Sequence, residues 1–205
     1  MSDAEAAAYC RFDGDLSRED LDRVFFLDDA DLELIEKRRG DHNRLGFALQ
    51  LGTVRWLGAF LPDPTAVPSS VLGYVAGQLD VSDPACVGRY LERRRTRFEH
   101  AEEIEAACCL RDFAAVHEQF EEWLDARAWM TGDGPRAIFN DAIGWLRERE
   151  VLLPGVTTLA RMVARAGAET DERLWETLSG SAGVEPACVL DLLLEVPEGT
   201  PGVRA

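Results

Sequence analysis

The chain is predicted to be all-α: a multi-helix bundle with helix-turn-helix-like units, divided into two small helical subdomains. Three observations carry this. Apolar residues recur at three- and four-residue spacing through most of the 205 positions, and alternating β-type runs are nearly absent. Clusters of Pro, Gly and Asp (LPDPTAVP, TGDGP, LLPG) punctuate the periodic stretches. A chain of this length with 46% hydrophobic content can bury one sizeable core or two small ones.

The elements follow in order. Ser17 suits the N-cap of a first helix, with Asp20 completing a box-like start and Leu21, Val24 and Phe25 on one face. Asp28 or Asp29 opens a second, with Leu32, Leu34 and Ile35 inward. Lys37, Arg38 and Arg39 come near its C-terminal end, where cations suit the helix dipole, and Gly40 stops it. Asp41 begins a longer helix whose stripe of Leu45, Leu49 and Trp56 is widened by Phe47, Ala48 and Leu51, so this helix is expected at the centre of the core. Pro68 and Ser69 start a helix to Leu79. After a turn at 80–83, Pro84 in a first-turn position opens another through Val87, Tyr90 and Leu91 to Arg97.

Residues 101–128 stay helical and strongly acidic, with Phe113, Phe120, Trp123 and Leu124 as core candidates. The cluster at 131–135 is the expected boundary between units. Beyond it, Ile138, Ala142, Trp145 and Leu146 mark one helix. A turn at 152–155 and a cap at Thr157 or Thr158 lead to the next, through Leu159, Met162 and Val163. Leu174, Trp175 and Leu178, then residues 189–194, suggest two more. The expected division is a first domain at 1–130 containing a helix-turn-helix-like pair at 68–97, a second at 135–196, and a frayed tail at 197–205.

The net charge of −16 argues, as an average, against a nucleic-acid partner, because Lys and Arg neutralising phosphates supply most non-specific affinity. The distribution says otherwise. Residues 1–36 hold 3 Arg against 12 acids and residues 101–205 hold 9 Arg against 20, whereas residues 37–100 carry 10 Lys and Arg against 6 acids. The basic charge is concentrated in one central segment, which can mark an electrostatic footprint. Five cysteines without a CxxC pair or metal-ligand spacing fit a reduced, cytoplasmic setting, and no leader or membrane-length apolar run is read. Catalytic, phosphate-loop and zinc patterns are missing, so the expectation is a non-enzyme with no catalytic residue, no metal and no cofactor.

Two segments could meet DNA. The pair at 68–97 has the turn length of a helix-turn-helix, and its second member carries Arg89, Arg93, Arg94, Arg95 and Arg97, spread so that some could reach base edges while others hold phosphates. The same spacing fits an ordinary αα-hairpin whose arginines pair with acidic neighbours. Lys37, Arg38, Arg39, His42, Asn43 and Arg44 form the other candidate, although His42 and Asn43 also suit a helix cap. A second pair around LLPG, with Arg147, Arg149, Arg161 and Arg165, gives a weaker signal.

The block RRGDHNRLGFALQLGTVRWLGAFLPDP resembles the N-terminal region of class II (Tn-three type) replicative transposases. VLGYVAGQLDVS, RRTRFEHAEEI, VLLPGVTTLARMV, ERLWETLSG and LDLLLEVPEG follow in matching order. The resemblance covers about residues 15–199. It implies an all-helical region with helix-turn-helix-like units that recognises transposon terminal inverted repeats, with the metal-dependent catalytic triad far downstream of where this chain stops. Arg38, Arg39, Asp41, His42, Asn43, Arg44, Gly46 and Gln50 match the first motif, and Arg95, Thr96, Arg97, Glu99 and His100 the second. The implied partner is double-stranded DNA at transposon ends, and no membrane. The alternative is a truncated relative that has lost DNA affinity and pairs with a full-length transposase.

Overall fold

The computed structural model describes residues 9–61, 63–92 and 94–181, apart from the side chains of Leu91, Arg94, Arg95, Arg97 and Ser181. Helices account for all its named elements: α1 (Arg18–Val24), α2 (Asp29–Glu36), α3 (Asp41–Leu57), α4 (Ser69–Gln78), a 3-10 segment (Pro84–Glu92), α5 (Arg94–Ala107), a 3-10 turn (Phe113–Val116), α6 (His117–Met130), α7 (Pro135–Glu148) and α8 (Val156–Ser181). Among the described residues the one β feature is an isolated parallel bridge between Arg111 and Val151. The all-helical expectation therefore holds. The helix expected at 189–194 and the tail at 197–205 lie outside the described residues.

Local chemistry sets the early boundaries. Ser17 Oγ accepts the Asp20 amide at 3.2 Å to start α1. Asp28 and Asp31 form a reciprocal capping box at α2. Gly40, at φ +82°, makes the corner between α2 and α3, and Gly58, at φ +75°, ends α3 in a left-handed cap.

Helix α3 is the axis of the first core. Every residue from Leu45 to Val54 is buried, so this helix is covered all round rather than along one stripe. Two glycines make room for that enclosure. A Cβ on Gly46 would lie 2.4 Å from Cγ of Tyr90, and one on Gly52 would lie 2.4 Å from Cδ1 of Phe25. Each ring rests against the helix backbone, where any larger residue would push it away. Gln78 fastens α4 to the turn after α1, donating to the Phe25 carbonyl at 2.9 Å and accepting from the Leu27 amide at 2.8 Å. Asp31, buried in the first turn of α2, accepts from both terminal nitrogens of Arg55 at 2.7 Å.

The continuous helix expected over 84–97 is not formed. Pro84–Glu92 is 3-10, and α5 starts afresh at Arg94. A three-residue repeat stacks Val87 and Tyr90 on one face, and both are buried against α3. Tight winding is how this short segment lays Tyr90 over Gly46.

The helix expected to run through 101–128 also breaks. Cys109 takes φ +52°, Asp112 caps the 3-10 turn, and the Arg111 amide donates to the Glu150 carbonyl at 2.8 Å. Adjacent Cys108 and Cys109 thus sit beyond the end of α5. At the other end the two helices expected around 157–168 and 174–178 are one, the 26-residue α8.

Apolar residues gather in two clusters. The first surrounds α3; the second joins α6, α7 and α8 through Phe120, Leu124, Trp145, Leu146, Leu159 and Met162. Helix α6, grouped with the N-terminal unit on sequence, packs into the second cluster, and so does Ala59 from just beyond α3. The clusters are tied at the C-terminal end of α3. Leu153 donates its amide to the Gly58 carbonyl at 2.9 Å, and Arg147 Nη2 donates to the Leu57 carbonyl at 2.7 Å.

His100 completes the first core, 6% exposed between two rings. It lies edge-on to Phe47, with centroids 5.2 Å apart, and stacks on Tyr90, whose Oη is 3.0 Å from His100 Nδ1. Burial, with Arg38 nearby, pushes its pKa from 6.5 down to about 4.

Two outcomes are expected. Gly46→Ala should lower unfolding stability by roughly 1–3 kcal/mol by overpacking against Tyr90, measured as a shift in urea midpoint, and Tyr90→Leu in the same chain should recover part of it. For His100, the unfolded chain takes up a proton below pH 6.5 that the folded chain refuses until about pH 4. Stability should therefore fall as pH drops through that window, by up to about 3 kcal/mol from this group, and His100→Gln should lose this part of the pH slope.

Candidate nucleic-acid interface

The two basic stretches singled out by sequence meet in space. Helix α3 packs on both the 3-10 segment and α5. Their junction is the cluster of Arg38, Phe47, Tyr90 and His100.

Arg38 belongs to that junction. Its side chain is only 9% exposed, its guanidinium stands 4.3 Å from the Phe47 centroid, and Nη2 donates to Glu103 Oε2 at 2.5 Å. The cation is covered by an aromatic face and a carboxylate, so it holds α5 against α3 rather than facing solvent. Arg44 is likewise engaged, reaching Asp41 Oδ1 at 3.3 Å and the Leu79 carbonyl at 3.4 Å. Asn43 Nδ2 donates to the Arg39 carbonyl at 2.9 Å and braces the α2–α3 corner. His42, half-buried, packs under Gly40, where a Cβ would come within 3.0 Å of its ring.

Lys37, Arg39 and Arg89 are placed differently. All three are exposed, and none makes an ion pair among the described residues. Arg89 sits on the outer side of the 3-10 segment whose inner side is Val87 and Tyr90. It shares surroundings with Asp83 and the start of α3: burial raises the Cys86 thiol pKa, Asp83 and then Asp41 raise it further, and Arg89 lowers it. Arg93 lies outside the described residues. Arg94, Arg95 and Arg97 fall in the first turn of α5, and their side chains lie outside them too.

Elsewhere arginines and carboxylates neutralise one another. Arg127 bridges Asp133 and Asp141, Arg165 pairs with Glu121, and Arg55 with Asp31. Arg149 lies over the Trp145 ring at 4.0 Å and Arg147 is spent on carbonyls, so the weaker LLPG pair is mainly structural apart from exposed Arg161. The α6–α8 side carries Glu118, Glu121, Glu122, Asp125 and Glu169, with Arg165 paired to Glu121 and Arg173 3.9 Å from Asp125. Among the described residues no group of three or more His, Cys, Asp or Glu could hold a metal ion, and no helix is long and apolar enough to cross a membrane.

Sequence reading missed one side chain beside this junction. Phe98, inside the arginine run, is 60% exposed, whereas Gln50, named in the first motif, is buried. The signal for Phe98 was its place in RRTRFEH, an aromatic between basic and acidic residues with no apolar neighbour three or four positions before it.

Residues 1–166 match the family described as "Domain of unknown function (DUF4158)". The chain is 40% identical over 181 residues to the transposase for transposon gamma-delta of Escherichia coli (strain K12), covering 87% of this chain and 18% of that protein. It is 33% identical over 162 residues to the transposase for transposon Tn1546 of Enterococcus faecium (78% and 16%), and 34% identical over 189 residues to the transposase for transposon Tn501 of Pseudomonas aeruginosa (90% and 18%). The chain thus spans less than a fifth of the length of these relatives. With its first 166 residues inside the family match and with transposases as its relatives, this chain belongs to the DUF4158 family and corresponds to the N-terminal region of Tn-three type transposases.

Proposed function

We propose that this transposase-related chain is a DNA-binding module that recognises the terminal inverted repeats of a transposon. The observation that carries the reading is the packing of α3, the 3-10 segment and α5 into one junction, from whose edge Lys37, Arg39 and Arg89 extend into solvent. Arg93, Arg94, Arg95 and Arg97, which follow Arg89 closely in sequence, are included in this proposed surface. Buried Arg38, braced Asn43 and packed His42 hold that surface in shape; the exposed cations contact phosphates. Its mechanism is binding, and strand transfer is assigned to other parts of the full-length relatives.

The net charge of −16 does not defeat this. At physiological salt the Debye length is about 8 Å, so carboxylates on the α6–α8 side are screened from a phosphate resting on the α3–α5 side. What the acidic background removes is long-range attraction, so association should be slow and salt-sensitive for a DNA-binding protein.

A second reading has its own observation. Trp129, Met130, Leu174, Trp175 and Leu178 are all exposed at the α6 and α8 ends, the kind of apolar surface that a protein partner such as a full-length transposase would cover.

Gel shifts and fluorescence anisotropy on inverted-repeat duplex discriminate the two. Affinity for duplex should fall steeply with salt, and the triple change Lys37→Gln, Arg39→Gln and Arg89→Gln should reduce the magnitude of the log–log salt slope by about 2–3 while the fold stays intact. Arg94→Ala with Arg95→Ala should weaken binding further. Absence of duplex binding at low salt, together with capture of a full-length transposase in a pull-down, would falsify the DNA reading in favour of the second.

A further inference from the structure

Along α8 a groove of about 640 Å³ opens between the end of α6, the turn at 131–135 and the start of α7. Ala164, Gly167 and Ala168 line it on α8, and a Cβ on Gly167 would meet nothing within 4 Å. Small side chains there let another helix approach the α8 backbone closely. Trp129, Met130 and Leu174 line it too, each between 48% and 80% exposed.

The apolar surface runs on past the groove. Every residue from Asp171 to Gly180 is exposed, about 15 Å of helix, and Trp175 lies on the same face as Ala164, Ala168 and Asp171. An elongated stripe of this kind fits a helix better than a compact ligand. Asp171 stands within the stripe, lining the groove, and makes no ion pair among the described residues. The arginines beside it are engaged: Arg127 bridges Asp133 and Asp141, and Arg173 lies over the Trp129 ring and 3.9 Å from Asp125. A lone carboxylate among apolar side chains is complemented by a cation set among apolar side chains. This chain does not supply one. Two copies paired through α8 would set like charges together, since an isologous contact puts the same patch on both sides. Residues 182–203 carry Glu185, Asp191, Glu195 and Glu198 and no Lys or Arg.

We propose that the groove and the exposed face of α8 receive a basic amphipathic helix of a partner protein, its apolar side chains on Trp129, Leu174 and Trp175 and a Lys or Arg on Asp171. Glu172 and Glu176, exposed next to the stripe, extend the attraction to further cations on the flanks of that helix. The two Trp rings are the anchors, because aromatic side chains seated in a groove carry most of the energy of such contacts. None of the groove's lining comes from α3, the 3-10 segment or α5, so the inference stands whether or not the chain binds DNA.

The test measures fluorescence anisotropy of a labelled Leu/Lys peptide of about 18 residues that forms an amphipathic helix, beside a peptide of the same composition in scrambled order. The full chain should bind the ordered peptide roughly tenfold more tightly than the scrambled one. Leu174→Gln with Trp175→Gln, both at exposed positions, should weaken the ordered peptide by roughly tenfold or more, and Asp171→Asn by roughly threefold. Glu118→Gln with Glu122→Gln, which removes charge elsewhere on α6, should leave it unchanged. Equal binding of the two peptides, or a loss with the Glu118 and Glu122 changes as large as with Asp171→Asn, marks general attraction to an acidic protein and overturns the proposal. Dimerisation of the free chain that Trp175→Gln abolishes, or a photo-crosslink in the free chain from position 175 to residues 182–205, gives the groove to another occupant and overturns it as well. Duplex affinity should be unmoved by Trp175→Gln, so failure here leaves the DNA reading standing.

Discussion

The contact on which the rest depends is the Tyr90 ring lying against the backbone of α3 at Gly46. No other residue type fits there, since even a methyl group would sit 2.4 Å from the ring. Once Tyr90 is seated, the 3-10 segment runs along α3, and the His100 ring stacks on Tyr90 from α5. Phe47 then takes His100 edge-on and Arg38 on its own ring, so side chains from the α2–α3 corner, α3, the 3-10 segment and α5 lock together. The block that carries the transposase resemblance is thereby largely architectural. Gly46 makes space, Arg38 seals, Asn43 braces the corner, and the charges that remain outward are those at its edge.

Pairing of arginines with carboxylates shapes this protein more through charge than through stability. Exposed pairs such as Arg18 with Asp22 or Arg23 with Asp20 contribute little, because water and salt already screen them. Their effect is to quench most of the described arginines locally. Lys37, Arg39 and Arg89, with Arg11, Arg111 and Arg161, are exposed and make no ion pair among the described residues, while carboxylates gather on α6 and α8.

Arg147 illustrates how the second cluster supports the first. Its guanidinium caps the end of α3 by donating to the Leu57 carbonyl, while the adjoining turn returns Leu153 to the Gly58 carbonyl. Helix ends leave carbonyls unsatisfied, and here a helix from the other cluster satisfies them. The orientation of α3, and with it the basic edge at its opposite end, is held from both sides.

Much was legible from residues alone where neighbours three or four positions apart settle the outcome. The helical class, the caps at Ser17 and Asp28, the corner at Gly40 and the central place of α3 all follow from such local terms. Partners far along the chain decided the remainder. The 3-10 winding over Pro84–Glu92 exists because Tyr90 must reach Gly46, and the break after Ala107 because Arg111 pairs with Val151. That Arg38 is enclosed while Arg39 is open depends on Phe47 and Glu103 arriving from α3 and α5. Periodicity and capping are properties of a few consecutive residues; which face meets which, and which charge is left to water, are properties of contacts that exist only after the chain has folded.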